Sequence, residues 1–403
     1  MTSNRWRTLA AVAFGFLAAT GAAGADGFER PPSFAPAAAL GPGWNGSDPQ
    51  VTNPVTSDGL LRHYRVKTAS GEFEVAGDQL MAARLRELAA LQKLDDVNVA
   101  TKFGQQAVKT GLAPVIFAGN LVVHPVRTTQ DTVSGVGQVF NGVTSGLNNL
   151  GKSRDDAIAS LTGEAKQKRE IAAALGVDPY TDFKPLADRL NEVASAGAAG
   201  NLAVTGAFIL TPGAAGLVAS NTNTATTLGG LVKDYSSAQL MDINREKLAG
   251  LGVDRATSDQ LFANPYYTPV DATAITEALG ELAGAGDLNA MVATAGIADS
   301  RATAYFIRRR IELTAAWRRR HQAIVGFAHA DDPRFPVATT AKGLVGVYPI
   351  DALSWTPETG RIVAAMTAAG PGAKTLVITG TATPLAKSRL KALGWTLEER
   401  AKL

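Results

Sequence analysis

The side chains able to do acid, base or metal chemistry are few and scattered. The four histidines are His63, His124, His321 and His329, and none falls at a spacing that holds zinc. His329 with Asp331 and Asp332 offers donors for a small metal site, although Asp-Asp-Pro after a helix reads first as a solvated turn. The chain has no cysteine, which excludes thiol nucleophiles, Cys-ligated zinc and iron–sulfur clusters. It also has no Gly-x-Ser-x-Gly elbow. Gly370-Pro371-Gly372-Ala373-Lys374-Thr375 lacks phosphate-loop spacing and precedes a strand where such a loop must follow one. Residues 380–383 do follow a strand and open a helix, so their amides could receive an anion. Asp351 follows a strand-like run, where α/β modules often set functional carboxylates, and equally where a carboxylate caps a turn. Tyr266, Tyr267, Trp317 and Trp355 could line a groove, but aromatics scattered this way more often serve packing.

The densest charge lies at Arg308-Arg309-Arg310 and Arg318-Arg319-Arg320. Eleven residues are about three helical turns, so Arg308 stacks over Arg319 and Arg309 over Arg320. Phe306, Leu313 and Trp317 form the opposite apolar face. The arrangement predicts a basic stripe, a contact for anionic lipid headgroups or another acidic surface; the simpler reading is a solvated face with carboxylate neighbours.

These residues need elements to position them, and the texture of the chain sets the elements out. Residues 1–25 read as a signal peptide: Arg5 and Arg7, an apolar run over 8–20, and Ala23-Gly24-Ala25 before Asp26. Their pattern implies an exported protein of the periplasm or cell envelope, which without cysteine must be held together by its core or a partner. The formal net charge of +3 falls to +1 once Arg5 and Arg7 leave, so a nucleic-acid partner is not expected. Residues 26–59, with six prolines, read as a disordered Pro-rich leader.

In residues 60–76, Tyr64 and Val66 alternate with Arg65 and Lys67, then Phe73 and Val75 with Glu72 and Glu74. This predicts a β-hairpin with cross-strand charge pairs and a turn at Ala69-Ser70-Gly71. Asp78 then opens an amphipathic helix, and a further helix is expected over 97–110. Val133, Val136, Phe140, Val143, Leu147 and Leu150 step by three and four, the pattern of a seam for another helix. Gly142 and Gly146 add a G-x-x-x-G pair. Helices are expected over 154–175, from Lys184 onward, 237–249, 255–263, 271–282, 288–295 and 300–327. No charge occurs between Glu192 and Lys233, a small-residue run divided at Thr211-Pro212-Gly213. From residue 343 the order is β-α-β-α-β, with helices opening at Thr356-Pro357 and Thr383-Pro384.

The fold class implied is mainly α. A helical domain with Ala/Gly-rich central helices and the N-terminal β-hairpin would span 60–335, and a small C-terminal α/β module would span 336–403. Gly176-Val177-Asp178-Pro179-Tyr180, Asp242-Ile243-Asn244-Arg245 with Leu248, and Asn264-Pro265-Tyr266-Tyr267-Thr268-Pro269 are three distinctive phrases. With them the chain resembles an uncharacterised family of exported proteobacterial proteins of unknown function. That resemblance brings no activity, cofactor or catalytic residue with it.

The function expected is therefore non-enzymatic, by binding or assembly at the cell envelope with a protein partner or a second copy. No catalytic, cofactor-binding or metal residue is assigned. One alternative is a membrane-inserting protein using an uncharged hairpin over 193–232, against which stand its Ala, Gly, Thr and Asn content and residues such as Asn201, Asn221 and Asn223. Another is a hydrolase with dispersed carboxylates, such as Asp351 or Asp331.

Overall fold

The computed structural model describes residues 27–41, 44, 49–95, 154–200, 222–321, 323–328 and 334–402. The signal-like segment, the seam from Val133 to Leu150 and the centre of the uncharged run lie outside the described residues. Within them the protein is mainly α, with twelve helices and eleven short strands.

The chain enters as a strap on the C-terminal part. Glu29 N–H donates to Trp355 O at 3.0 Å, and Trp355 N–H donates back to Glu29 Oε1 at 2.7 Å. Phe34 bridges to Val55, and the short helix α1 (Pro36–Leu40) packs beside them. Two-residue strands β1 (Gln50–Val51) and β2 (Thr56–Ser57) pair with β3 (Arg62–Thr68). The described part of the expected leader is thus ordered: Phe34 and Val55 supply apolar anchors, and β3 takes up the backbone groups that a proline-rich chain leaves open.

β3 and β4 (Gly71–Ala76) form an antiparallel hairpin in the register the charges call for, with Arg65 opposite Glu74 and Lys67 opposite Glu72. Tyr64, Val66 and Val75 turn inward onto Leu80 and Met81 of α2 (Asp78–Asp95).

A helical layer follows. It holds α3 (Arg154–Leu175), α4 (Lys184–Gly200) and α5 (Thr222–Asp234). At its base, Arg84 of α2 bonds Asp182 and Glu87 takes the Thr181 hydroxyl, both just before α4. Further along, Arg189 of α4 reaches Leu94 O and Asp95 at the end of α2, so α2 and α4 run side by side in one direction. The connector 176–183 turns the chain from α3 into α4, and Ser195 meets Glu164, so α3 runs the opposite way. The last turn of α5 lies against Arg169 of α3 and Tyr180 of the connector, so α5 also returns towards the base. Residues 154, 200 and 222 therefore share the far end of this layer, while the described part of α2 stops at Asp95, level with Arg189 and about three helical turns short of residue 200.

Helices α6 (Ser237–Gly250), α7 (Arg255–Ala263), α8 (Pro269–Glu281), α9 (Leu288–Gly296) and α10 (Arg301–Arg320) follow with short turns. Ser236, Asp254, Thr268 and Ser300 cap α6, α7, α8 and α10 through side-chain oxygens. The sequence predicts a helix over 300–327, but α10 stops at Arg320, and β5 (Ile324–Ala328) takes the place of its last turns. Ile324 and Phe327 are buried there against β6 (Val337–Thr340), a pairing between segments that neither one announces by itself.

β6 continues antiparallel to β7 (Gly343–Tyr348), and β7, β9 (Ala373–Ile378) and β11 (Trp395–Glu398) are parallel, in the order β11-β9-β7-β6-β5. α11 (Pro357–Ala368) and α12 (Pro384–Ala392) connect the parallel strands, and β8 (Ala352–Leu353) pairs with β10 (Thr381–Ala382) beside them. One apolar core runs from Leu248 through Ile307 and Phe335 to Trp395. The boundary expected between 335 and 336 thus crosses a continuous core, and the sheet begins with β5 on its near side.

Candidate functional site

Two buried polar centres stand out. The first lies at the N-terminus of α8. Thr268 caps the helix: its Oγ1 accepts from Asp271 N–H at 3.1 Å, and Asp271 Oδ2 accepts from Thr268 N–H at 2.8 Å. Pro269 fits the first turn, where no amide hydrogen is needed. Asp271 is fully buried and receives Arg301 on Oδ2 at 2.6 Å and Arg308 on Oδ1 at 2.7 Å. Arg308 continues to Glu312 at 2.9 Å, Glu312 also takes Arg309, and Arg309 reaches Gln79 of α2. Arg301 bonds Asp182 at 3.1 Å, which ties this helix to the base of the α2–α4 layer. Asp178 accepts from the Thr268 hydroxyl at 2.6 Å and from Tyr180 N–H at 2.7 Å.

The acids of this centre are driven apart. Burial and the neighbouring Asp271 charge push the Asp178 carboxyl up to about 7. Burial also opposes ionisation of Asp271, but Arg301 and Arg308 outweigh it and bring it down to about 2. Beside the centre is a cavity of ≈ 20 Å³ lined by Met241, Asn244, Phe262, Tyr267 and Thr268 among others, with room for one water. Asn244 Nδ2 donates to Thr273, while Asn244 Oδ1 and the Tyr267 hydroxyl are buried without a hydrogen-bond partner. The segments 176–180, 242–245 and 264–269 meet here, through Asp178, Asn244 and Tyr267-Thr268.

The second centre joins β3, α2 and the chain after β7. Asp351, 1% exposed, lies beyond the C-terminal end of β7, and its Oδ2 accepts from Arg62 N–H at 3.1 Å and Asp78 N–H at 3.0 Å. It thereby satisfies the first amide of α2 from 273 residues away. Asp78 holds Arg62 on Oδ2 and the Tyr64 hydroxyl on Oδ1, both at 2.5 Å. Burial, then the Asp78 charge, push the Asp351 carboxyl well above the ordinary carboxylate range. Asp351 caps, as one reading of its position has it, but it caps a helix of another part of the chain.

The basic stripe divides. Arg308 and Arg309 are buried and committed to Asp271, Glu312 and Gln79, so neither faces a lipid or acidic surface. The correction has a physical cause: a guanidinium enclosed in the fold must be paired, and three carboxylate oxygens and an amide oxygen are placed to do it. Arg319 pairs with Glu281 and Arg320 donates to Lys402 O at the more open end of α10. In the 380–383 turn, Ala382 N–H is taken by Glu399 at 2.7 Å and the Thr383 hydroxyl by Glu29, so the chain's own carboxylates occupy the place of an outside anion. The aromatics form no common groove: Tyr267, Trp317 and Trp355 are buried in the core while Tyr266 is exposed. His63 pairs with Asp58 at 2.9 Å and His321 stacks on Trp317. His124, His329, Asp331 and Asp332 lie outside the described residues. Among the described residues no group of three or more metal-ligating side chains is placed to hold an ion, and no helix is long and apolar enough to cross a membrane.

The class defined by these observations is a mainly α protein with a mixed five-stranded sheet and two buried polar centres. No family model, curated protein or solved structure matches the chain.

Proposed function

We propose that the protein is an exported, non-enzymatic component of the cell envelope that acts by binding or assembly, with a protein partner or a second copy of itself. The observation that carries this reading is the common far end of the α2–α5 layer. The described chain stops at 200 and resumes at 154 and 222 there, so both 96–153 and 201–221 border this end. Those segments contain most of the two long uncharged runs, including Val136, Phe140 and Val143. A layer braced at its base by Arg84–Asp182 and Arg301–Asp182 supports such an end as a rigid mount.

The test is the mass of the mature protein in solution by light scattering. Replacing Val136, Phe140 and Val143 with polar residues is expected to dissolve the assembly while circular dichroism stays unchanged. An unaltered mass with the fold intact removes the assembly reading. The same common end favours membrane insertion as the second reading. In that case a charge at Phe208 or Ile209 abolishes liposome leakage caused by the unmodified protein, and absence of leakage from the unmodified protein removes it.

A further inference from the structure

We propose that residues 27–29 fill a peptide-binding seat beside the C-terminal sheet, and that the seat takes an extended segment of a protein partner in which an aromatic residue is followed directly by glutamate. The strap is such a segment supplied by the chain itself, and it keeps the seat closed. Each of its three residues is held. The Phe28 ring lies over Gly360 of α11 with the Trp355 ring beside it: a Cβ on Gly360 would stand 3.1 Å from Phe28 Cε1 and 3.6 Å from Trp355 Cζ2. The missing side chain is what leaves a slot for an aromatic ring. Glu29 Oε1 accepts from Trp355 N–H at 2.7 Å and from the Thr383 hydroxyl, and Glu29 N–H donates to Trp355 O at 3.0 Å. Arg389 of α12 donates to Gly27 O at 3.3 Å. Ring, carboxylate and main chain are thus recognised together, the three means by which a groove reads an extended peptide.

The place suits a ligand. Trp355 stands just before α11 and Thr383 caps α12, so the Glu29 carboxylate sits at the N-termini of two helices, whose dipoles favour an anion. β8 and β10 set these two turns side by side, beyond the carboxyl ends of β7 and β9, the edge at which open α/β sheets receive ligands. The Thr383 hydroxyl serves both the cap and the strap: it accepts from Ala386 N–H at 3.1 Å and keeps its proton for Glu29. The groups that hold the strap all lie between Trp355 and Arg389, and the strap adds no strand to the sheet. The next backbone pairing along the chain is that of Phe34 with Val55. Residues 27–29 can therefore lift away while the hairpin and the sheet keep their own contacts. Phe28 and Glu29 are half-buried, so solvent reaches the seat along the strap. The proposal rests on the reading that the protein acts by binding, but not on Val136, Phe140 or Val143, so the mass test and the test below fail separately.

The probe is a peptide of residues 27–33 with a fluorophore at its C-terminus. The receiver is the full chain carrying Phe28→Ser and Glu29→Gln, whose own strap no longer fills the seat. Fluorescence anisotropy is expected to show saturable binding. Wild type should bind about tenfold more weakly, because its tethered strap competes at an effective concentration of millimolar order. The peptide carrying Phe28→Ala or Glu29→Gln should lose affinity by about tenfold or more. The receiver with Gly360→Leu, which fills the slot from the helix side, should lose as much. No saturable binding to a receiver with native circular dichroism overturns the proposal, and so does binding indifferent to these changes. Should the receiver not fold, hydrogen exchange of the wild-type chain decides. The Glu29 and Trp355 amides are expected to exchange by local opening, well ahead of those of β9. Exchange of both only together with β9 makes the strap fixed packing and overturns the proposal.

Discussion

The Thr268 hydroxyl donates to Asp178 Oδ2 at 2.6 Å across 90 residues of sequence. The same hydroxyl lies 3.1 Å from Asp271 Oδ2, so Asp178 is the nearer acceptor of its proton, and its oxygen takes the Asp271 amide hydrogen that opens α8. One cap thus serves two carboxyls with opposite titration behaviour. Asp271 has two guanidiniums in contact and ionises readily; Asp178 has a hydroxyl and an amide, and the Asp271 charge works against it.

The Asp178 carboxyl, raised to about 7, stabilises the fold when protonated. Its contribution is complete below the unfolded value of 3.8 and is lost as pH rises through about 7. Asp178→Asn keeps the oxygen that accepts from Thr268. Urea unfolding should find the variant more stable than wild type at pH above that value, by ~2 kcal/mol given the partial exposure of the site. Equal stabilities across this window count against the assignment.

Asp271 gives the acid limb the opposite sign. Its folded value of about 2 lies below the model-peptide 3.8, so its contribution is present above 3.8 and disappears as pH falls towards 2. Asp271→Asn should be less stable than wild type at neutral pH, by roughly 2–3 kcal/mol from titration alone. The gap should close in acid, as read by thermal unfolding over the same range.

Removing one partner of the buried ion chain leaves the other charge exposed to an apolar interior. Arg308→Met is expected to cost about 3–5 kcal/mol. In a double-mutant cycle with Asp271→Asn the two losses should fall short of additive by roughly 1–3 kcal/mol, because the second change removes what the first left unpaired. Strict additivity in denaturant titrations would contradict direct pairing at 2.7 Å.

Glycines in two places respond in opposite directions. A Cβ on Gly380 would stand 1.9 Å from Asp351 O, a backbone atom that cannot yield without moving the strand ends. Gly380→Ala should destabilise the protein by several kcal/mol, on the scale of other severe steric changes. Gly163 lies exposed within α3 with nothing within 4 Å of such a Cβ, so Gly163→Ala should raise stability by about 1 kcal/mol. Melting temperatures of the two variants moving the same way would refute this contrast.

Local signals were the legible ones. Thr356 and Thr383 open helices where a hydroxyl precedes proline, and the alternating signs in 64–75 fix the hairpin register. The sites were hidden because their partners are distant: Asp351 lies 289 residues from Arg62, and Asp271 lies 37 from Arg308. One clue to the buried arginines was present. Ile307, Ile311 and Ala315 make a second apolar stripe roughly opposite Phe306, Leu313 and Trp317. A helix apolar on two sides packs on two sides, and the arginines between are enclosed with Glu312, one turn from Arg308. The turn from α10 into β5 carried no such warning, since Ile324 and Phe327 fit either element.

The strap at Glu29 meets Trp355 and Thr383, and the hairpin meets Asp351. In order of synthesis, the first part of the described chain thus has its seat built by the last. Some 350 residues must emerge before Glu29 can find Thr383. The contact order of this joint is high, and closing so long a loop is a slow step. Until the final strands are made, the hairpin can rest on α2 and on Phe183, but the strap at Glu29 has no seat, so the N-terminal end stays unfastened while the rest is being made.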